Sequence, residues 1–308
     1  MMSKTAFLFS GQGSQYPGMG KELFDAFPYV REIYEAASDA FGFDVAKISF
    51  EGSEQELART VVSQPVIYTL SLAANEVMVR EVCRPDRAAG HSLGEYAAMT
   101  ACGVLTREDG FRVIKARAAA MEKAAAQSDG AMYAIIGSDN PTIEAVCRET
   151  EGYVTPVNYN SLVQTVIAGE AKAAEAAAAK LAEQGARTMK LAVSCAFHSK
   201  LMSGAAEEFR EAVKDVVFRQ PEFPFYSNLD GKIRSQIDTE YLAKHLTSPV
   251  QFVAELQNMA ADGCGCFIEV GPGKVLTGLV RKTLKGVTFQ NVENVKTLQK
   301  AAELFPKA

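Results

Sequence analysis

At 308 residues, with 48% apolar and 22% charged side chains, the chain is long enough to bury one large core or two smaller ones. A net charge of -5 with no basic run excludes a general binder of nucleic acid, and no apolar run approaches the roughly 18 to 20 residues needed to cross a bilayer. Six dispersed cysteines exclude a disulfide scaffold, and Cys264 and Cys266, the only close pair, lack a second cluster to complete a metal site.

The first strand candidate is Thr5-Ala6-Phe7-Leu8-Phe9, a short apolar run that leaves its sheet through the glycine turn Gly11-Gln12-Gly13. The break at Ser10-Gly11, with no small-residue cleavage site beyond it, argues against a signal peptide, so a cytoplasmic protein with reduced cysteines is expected. From 64 to 80, Val66, Ile67, Leu70, Leu72 and Val77 suit a long helix whose exit is punctuated by Arg84-Pro85. Asp86-Arg87-Ala88-Ala89 is a poor strand by propensity. It leads into Gly90-His91-Ser92-Leu93-Gly94 and an alanine-rich helix through Ala101. Thr106 and Asp109 approximate a capping box for a further helix to about 126. Along that helix Phe111, Ile114, Ala118 and Met121 form an apolar stripe, with Arg117 at its edge.

Between 130 and 192 the texture changes to short alternating units. Strands are expected at 131–136, 153–159, 164–168 and 187–193 and helices at 141–150 and 171–184, with Gly137, Gly152, Gly169 and Gly185 as breakers. The order βαββαβ is the ferredoxin-like arrangement. It is expected to form an insert over 128–196 within a larger domain made of 1–127 and 197–308. Beyond it, Cys266-Phe267-Ile268-Glu269-Val270 followed by Gly271-Pro272-Gly273 repeats the pattern of buried strand and tight turn. The fold class is therefore α/β, with an open, mainly parallel sheet covered by helices.

Gly90-x-Ser92-x-Gly94 directly before a helix is the pattern of a nucleophile elbow, in which a sharp turn lifts a serine clear of the sheet. The new helix aims its N-terminal N–H groups, Leu93 among them, at a developing oxyanion. On the pattern alone, a glycine-rich turn that merely contains a serine is the stronger reading. A serine nucleophile needs a base, and the chain has three histidines. His91, adjacent to Ser92 in the turn, is expected to point away and to serve as a hydrogen-bonded packing residue. His245, within Tyr241-Leu242-Ala243-Lys244-His245-Leu246, is expected on a surface helix. His198, in Ala196-Phe197-His198-Ser199, sits past the last strand of the insert, where sites are commonly built. By spacing it is either the base or a satisfied structural histidine.

Six segments taken together resemble the malonyl-CoA:acyl-carrier-protein transacylases, in that family's order and over nearly the whole chain. They are Gly11-Gln12-Gly13-Ser14-Gln15, Gly90-His91-Ser92-Leu93-Gly94-Glu95-Tyr96, Arg117-x-x-x-Met121, Ala196-Phe197-His198-Ser199, Pro249-Val250-Gln251 and Glu269-Val270-Gly271-Pro272-Gly273. The resemblance implies an α/β-hydrolase-like core with a ferredoxin-like insert, and a Ser92–His198 dyad whose imidazole is oriented by the backbone carbonyl of Gln251. It further implies an oxyanion hole from the Gln12 and Leu93 amides, Arg117 as the clamp on the free malonyl carboxylate, and Phe197 as the side chain that crowds out an α-methyl branch. Met121, Met132, Asn160 and His91 fall among the family's substrate-binding positions, although packing accounts equally well for Met132 and Asn160.

The implied substrates are malonyl-CoA and the phosphopantetheine thiol of acyl carrier protein, in fatty-acid or polyketide synthesis. No cofactor or metal is implied, nor any nucleic-acid or membrane partner, and a monomer is expected. Leu162-Val163 departs from the Pro-containing pair that commonly follows Asn160-Ser161 in the family. Two rivals remain: a hydrolase of the same fold, opposed by Arg117 and Phe197, and an inactive carrier-docking module, opposed by the intact Ser92 and His198.

Overall fold

A computed structural model describes residues 3–193 and 195–305 of the chain. Among them lie eight strands: β1 (Lys4–Phe9), β2 (Arg87–Gly90), β3 (Gly130–Ile136), β4 (Val154–Ser161), β5 (Gln164–Glu170), β6 (Arg187–Lys190), β7 (Cys264–Val270) and β8 (Thr288–Val292). They form two sheets. The first is wholly parallel, in the order β2-β1-β7-β8. Its central strands β1 and β7 are nearly continuous runs of buried residues, as expected where helices cover both faces.

The weak strand propensity before the elbow is overridden by pairing. β2 registers on β1 from Ala6↔Arg87 to Phe9↔Gly90, and on its other side the Ala88 N–H donates to the Pro224 carbonyl at 3.1 Å. Tertiary hydrogen bonds on both edges outweigh local preference in a strand this short.

The second sheet is antiparallel, in the order β4-β5-β3-β6. Numbered within this βαββαβ unit the order reads 2-3-1-4, the ferredoxin-like arrangement anticipated from the element order. Ile135, Ile143, Val146, Ile167, Ala174 and Leu181 fill a core between this sheet and the helices Asn140–Glu149 and Ala171–Glu183. β6 stops at Lys190, short of the expected 193. The Val250 N–H donates to the Val157 carbonyl at 2.8 Å and the Tyr159 N–H to the Val250 carbonyl at 2.9 Å, so the segment before the helix Phe252–Ala261 is stitched to β4. The whole is an α/β-hydrolase-like arrangement with a small antiparallel unit set into it.

The long helix begins at Thr60, earlier than its apolar periodicity indicated, and carries Pro65 inside it. The Thr106 hydroxyl accepts from the Asp109 N–H and opens the helix Arg107–Ala126 as anticipated. Among the described residues no helix is long and apolar enough to cross a membrane.

At the elbow the glycines are a steric necessity. A Cβ on Gly94 would overlap the Phe9 carbonyl oxygen, and one on Gly90 would overlap the Gly94 carbonyl. Only hydrogen at these positions lets the helix Gly94–Ala101 start directly against the ends of β1 and β2.

Candidate active site

Ser92 stands between the end of β2 and the helix Gly94–Ala101 with φ 53, and His198 has φ 59. Among the described residues these are the only non-glycine positions with positive φ. A left-handed backbone costs a side-chain-bearing residue on the order of 1–3 kcal/mol and persists only where its surroundings enforce it. The two strained residues meet: Ser92 Oγ lies 2.7 Å from His198 Nε2.

The tautomer follows from the other ring nitrogen. His198 Nδ1 lies 3.1 Å from the His245 carbonyl and 3.2 Å from the Ser248 carbonyl, both obligate acceptors, so Nδ1 carries the proton. Nε2 then offers its lone pair to the Ser92 hydroxyl. Burial, with the Arg117 charge adding to it, pushes the His198 imidazole down to about 3, so it is a neutral base at physiological pH.

The resemblance implied the Gln251 carbonyl as the acceptor for His198 Nδ1; among the described residues the acceptors of that nitrogen are the His245 and Ser248 carbonyls. Gln251 precedes the helix Phe252–Ala261, and its carbonyl accepts the Glu255 N–H at 3.1 Å in the first turn of that helix.

His245 is likewise not on a surface helix face. It is fully buried on the helix Thr239–Thr247, with Nε2 3.1 Å from Asn228 Oδ1 and Nδ1 3.2 Å from the Tyr96 hydroxyl. Burial holds its pKa well below the ordinary histidine value, and its 3.1 Å approach to Glu95 Oε2 is therefore not an ion pair. Glu95 itself is pushed up to about 7 by burial, opposed by hydrogen bonds from Tyr241 at 2.6 Å and the Asn228 N–H at 2.7 Å.

Arg117 reaches the site from the helix Arg107–Ala126 and is 1% exposed. Nη2 donates to Ser92 Oγ at 3.2 Å, and the guanidinium carbon lies 5.1 Å from the centre of the Tyr96 ring. Nε and Nη1 are buried with no acceptor among the described residues. Unpaired guanidinium donors in a closed site are costly unless an anion completes them, and a carboxylate matches their fork.

The amides of Gln12 and Leu93 donate to no protein acceptor among the described residues. The Gln12 side chain meets Gln64 Nε2 at 3.5 Å, and the same amide nitrogen lies 3.3 Å from the Met121 sulfur. The glycine turn carrying Gln12 is anchored from below. Ser10 Oγ donates to Glu269 Oε1 at 3.2 Å, and Glu269 also accepts the Leu276 and Thr277 N–H groups at 3.0 and 2.7 Å.

His91 points away from the serine as expected: Nε2 meets Asn160 Oδ1 at 2.7 Å, and the ring packs edge-on against Phe252. That contact joins the elbow to the end of β4. Phe197, Met121 and Met132 are all buried in the main core, the last on β3. Surface cavities of about 340 and 520 Å³ lie elsewhere and include neither member of the dyad.

A serine–histidine pair on this fold has close counterparts. The profile of the acyl transferase domain family matches residues 6–307. The chain belongs to that family. It is 37% identical over 308 residues to the malonyl CoA-acyl carrier protein transacylase of Bacillus subtilis, covering 98% of this chain and 97% of that one. A solved malonyl-CoA:acyl carrier protein transacylase from Xanthomonas oryzae superposes with TM-score 0.94 at 35% identity over the full length of both chains. A malonyl-transacylase solved in complex with its type II PKS acyl-carrier protein superposes with TM-score 0.93 at 36% identity, covering 98% and 100%.

Three parts of this acyl transferase site have no local signature in the sequence. They are Asn228 and the backbone carbonyls of His245 and Ser248. Asn228 follows Phe225-Tyr226-Ser227, and its contacts to the elbow span more than 130 positions.

Proposed function

We propose that the chain transfers a malonyl group from malonyl-CoA to the phosphopantetheine thiol of acyl carrier protein through a malonyl ester on Ser92. The observation that carries this reading is the pairing of Ser92 Oγ, 2.7 Å from a neutral His198, with a buried Arg117 holding two unused donors beside it. The family membership and the named activities of its relatives support the same acyl group and acceptor.

In the first half-reaction His198 Nε2 takes the hydroxyl proton as Ser92 Oγ bonds to the thioester carbonyl carbon. The resulting oxyanion is met by the Gln12 and Leu93 amides. Collapse breaks the carbon–sulfur bond, and the imidazolium returns its proton to the departing coenzyme A thiolate. In the second half the carrier thiol gives its proton to His198 and attacks the ester, and Ser92 leaves as the hydroxyl. Arg117 holds the distal carboxylate throughout, and Phe197 limits branching at the α-carbon, with Met121, Met132, Asn160 and His91 shaping the pocket. The same reading keeps 128–196 as an inserted domain on a catalytic body of 1–127 and 197–308, with a cytoplasmic address and no cofactor.

A covalent intermediate on Ser92, with coenzyme A released before the carrier binds, requires ping-pong kinetics. Initial rates at several fixed carrier concentrations should give parallel double-reciprocal lines against malonyl-CoA. Intersecting lines would rule out the two-step route.

A further inference from the structure

The side chain of Asn228 spends its hydrogen-bonding capacity on both sides of the elbow and on the support of the base. It is fully buried. Oδ1 accepts the Ser92 N–H at 2.8 Å and faces His245 Nε2 at 3.1 Å, while Nδ2 donates to the Gly90 carbonyl at 2.6 Å and to Glu255 Oε1 at 2.7 Å. Two acceptors at one end and the Ser92 N–H at the other fix which way the amide points. Its own backbone is held as firmly, the N–H donating to Glu95 Oε1 at 2.7 Å and the carbonyl accepting the Gln251 N–H at 2.8 Å.

This one amide therefore grips the turn at two points, the carbonyl of Gly90 two residues before Ser92 and the N–H of Ser92 itself. The same amide touches the ring of His245, whose backbone carbonyl receives the His198 Nδ1–H. A left-handed serine at φ 53 needs such an external clamp. No other side chain among the described residues hydrogen-bonds the backbone of both Gly90 and Ser92.

We propose that Asn228 is a positioning residue for the transfer reaction: it holds Ser92 in its left-handed conformation and in register with His198, without touching a reacting atom. The proposal rests on Ser92 being the nucleophile. Aspartate cannot replace it, because an ionised carboxylate donates to neither Gly90 nor Glu255. Alanine and serine are too short to span the turn.

The test is single-turnover acylation by malonyl-CoA, followed by intact-protein mass with the label mapped. It compares wild type, Asn228→Ala, Asn228→Ser and a stability control, Ile143→Ala in the buried core of the small antiparallel unit. Misplacing a nucleophile by an ångström costs about 10²-fold, so both Asn228 variants should acylate about 10²-fold more slowly, with half-saturating malonyl-CoA moved by less than about threefold. Ile143→Ala should melt earlier yet acylate at the wild-type rate. Serine leaves a small polar group in place, so Asn228→Ser decides the matter if Asn228→Ala does not fold. Acylation by Asn228→Ser at the wild-type rate, or equal slowing in Ile143→Ala, overturns the proposal. A wild type that takes up no label at Ser92 overturns it too, and identifies the nucleophile assignment as the failure.

Discussion

Replacing His198 with alanine is expected to slow acylation by malonyl-CoA by about 10²- to 10⁴-fold, the usual contribution of a positioned general base. Half-saturating malonyl-CoA should change little, because Arg117 and the pocket walls remain. The pH profile separates this base from an ordinary imidazole. In the free enzyme burial pushes His198 down to about 3, so kcat/KM should hold level from pH 8 to pH 5, where an unperturbed histidine would already have lost its base form. Loss of half the rate near pH 6.5 would contradict the assigned environment.

The same shift has a cost in stability, and its sign is fixed. Below pH 6.5 the unfolded chain binds a proton on this imidazole that the folded chain refuses until about pH 3, so the group lowers stability progressively as pH falls through that window.

Arg117→Ala is the second large effect. Removing one partner of a buried charge pair costs about 2–5 kcal/mol, which corresponds to roughly 30- to 4,000-fold. The loss should fall on malonyl transfer and spare acetyl transfer, since an acetyl group has no carboxylate to hold. Parallel measurements of kcat/KM for malonyl-CoA and acetyl-CoA check this, and an unchanged ratio would remove Arg117 from acyl selection. The geometry explains why a cation is tolerated there. Arg117 lies against the Tyr96 face and donates to Ser92 Oγ, and two of its nitrogens have no acceptor among the described residues, the capacity that the proposed carboxylate clamp would use. That charge also depresses His198, after burial, so a carboxylate held there as proposed would offset it and raise the basicity of the imidazole.

The elements that position this site were largely legible because their signals are local. The apolar run of β1, the glycines around Ser92 and the Thr106 cap each encode their own conformation through sterics or a short-range hydrogen bond. The ferredoxin-like unit was legible for the same reason, as alternating periodicities separated by breakers. β2 was not, because four residues with a charged start become a strand only through neighbours on both edges.

The surroundings of the base were less legible, for two reasons. Tyr241, Leu242, His245 and Leu246 are the buried residues of their helix, at i, i+1, i+4 and i+5. His245 thus shares a face with an apolar stripe, and its periodicity indicated burial even though its residue type suggested water. What orients His198 is two backbone carbonyls, and backbone groups are common to every residue, so no sequence pattern marks them. The resemblance pointed to the neighbouring carbonyl of Gln251, a few residues along the same stretch of chain.

Intact-protein mass spectrometry after brief exposure to malonyl-CoA, with peptide mapping and Ser92→Ala alongside, tests the central claim most directly. The wild type should gain one malonyl group, located on Ser92 and discharged by a phosphopantetheine thiol, while Ser92→Ala gains none. A folded wild type that stays unmodified, or a label found on another side chain, would contradict the acyl-enzyme on which the account depends.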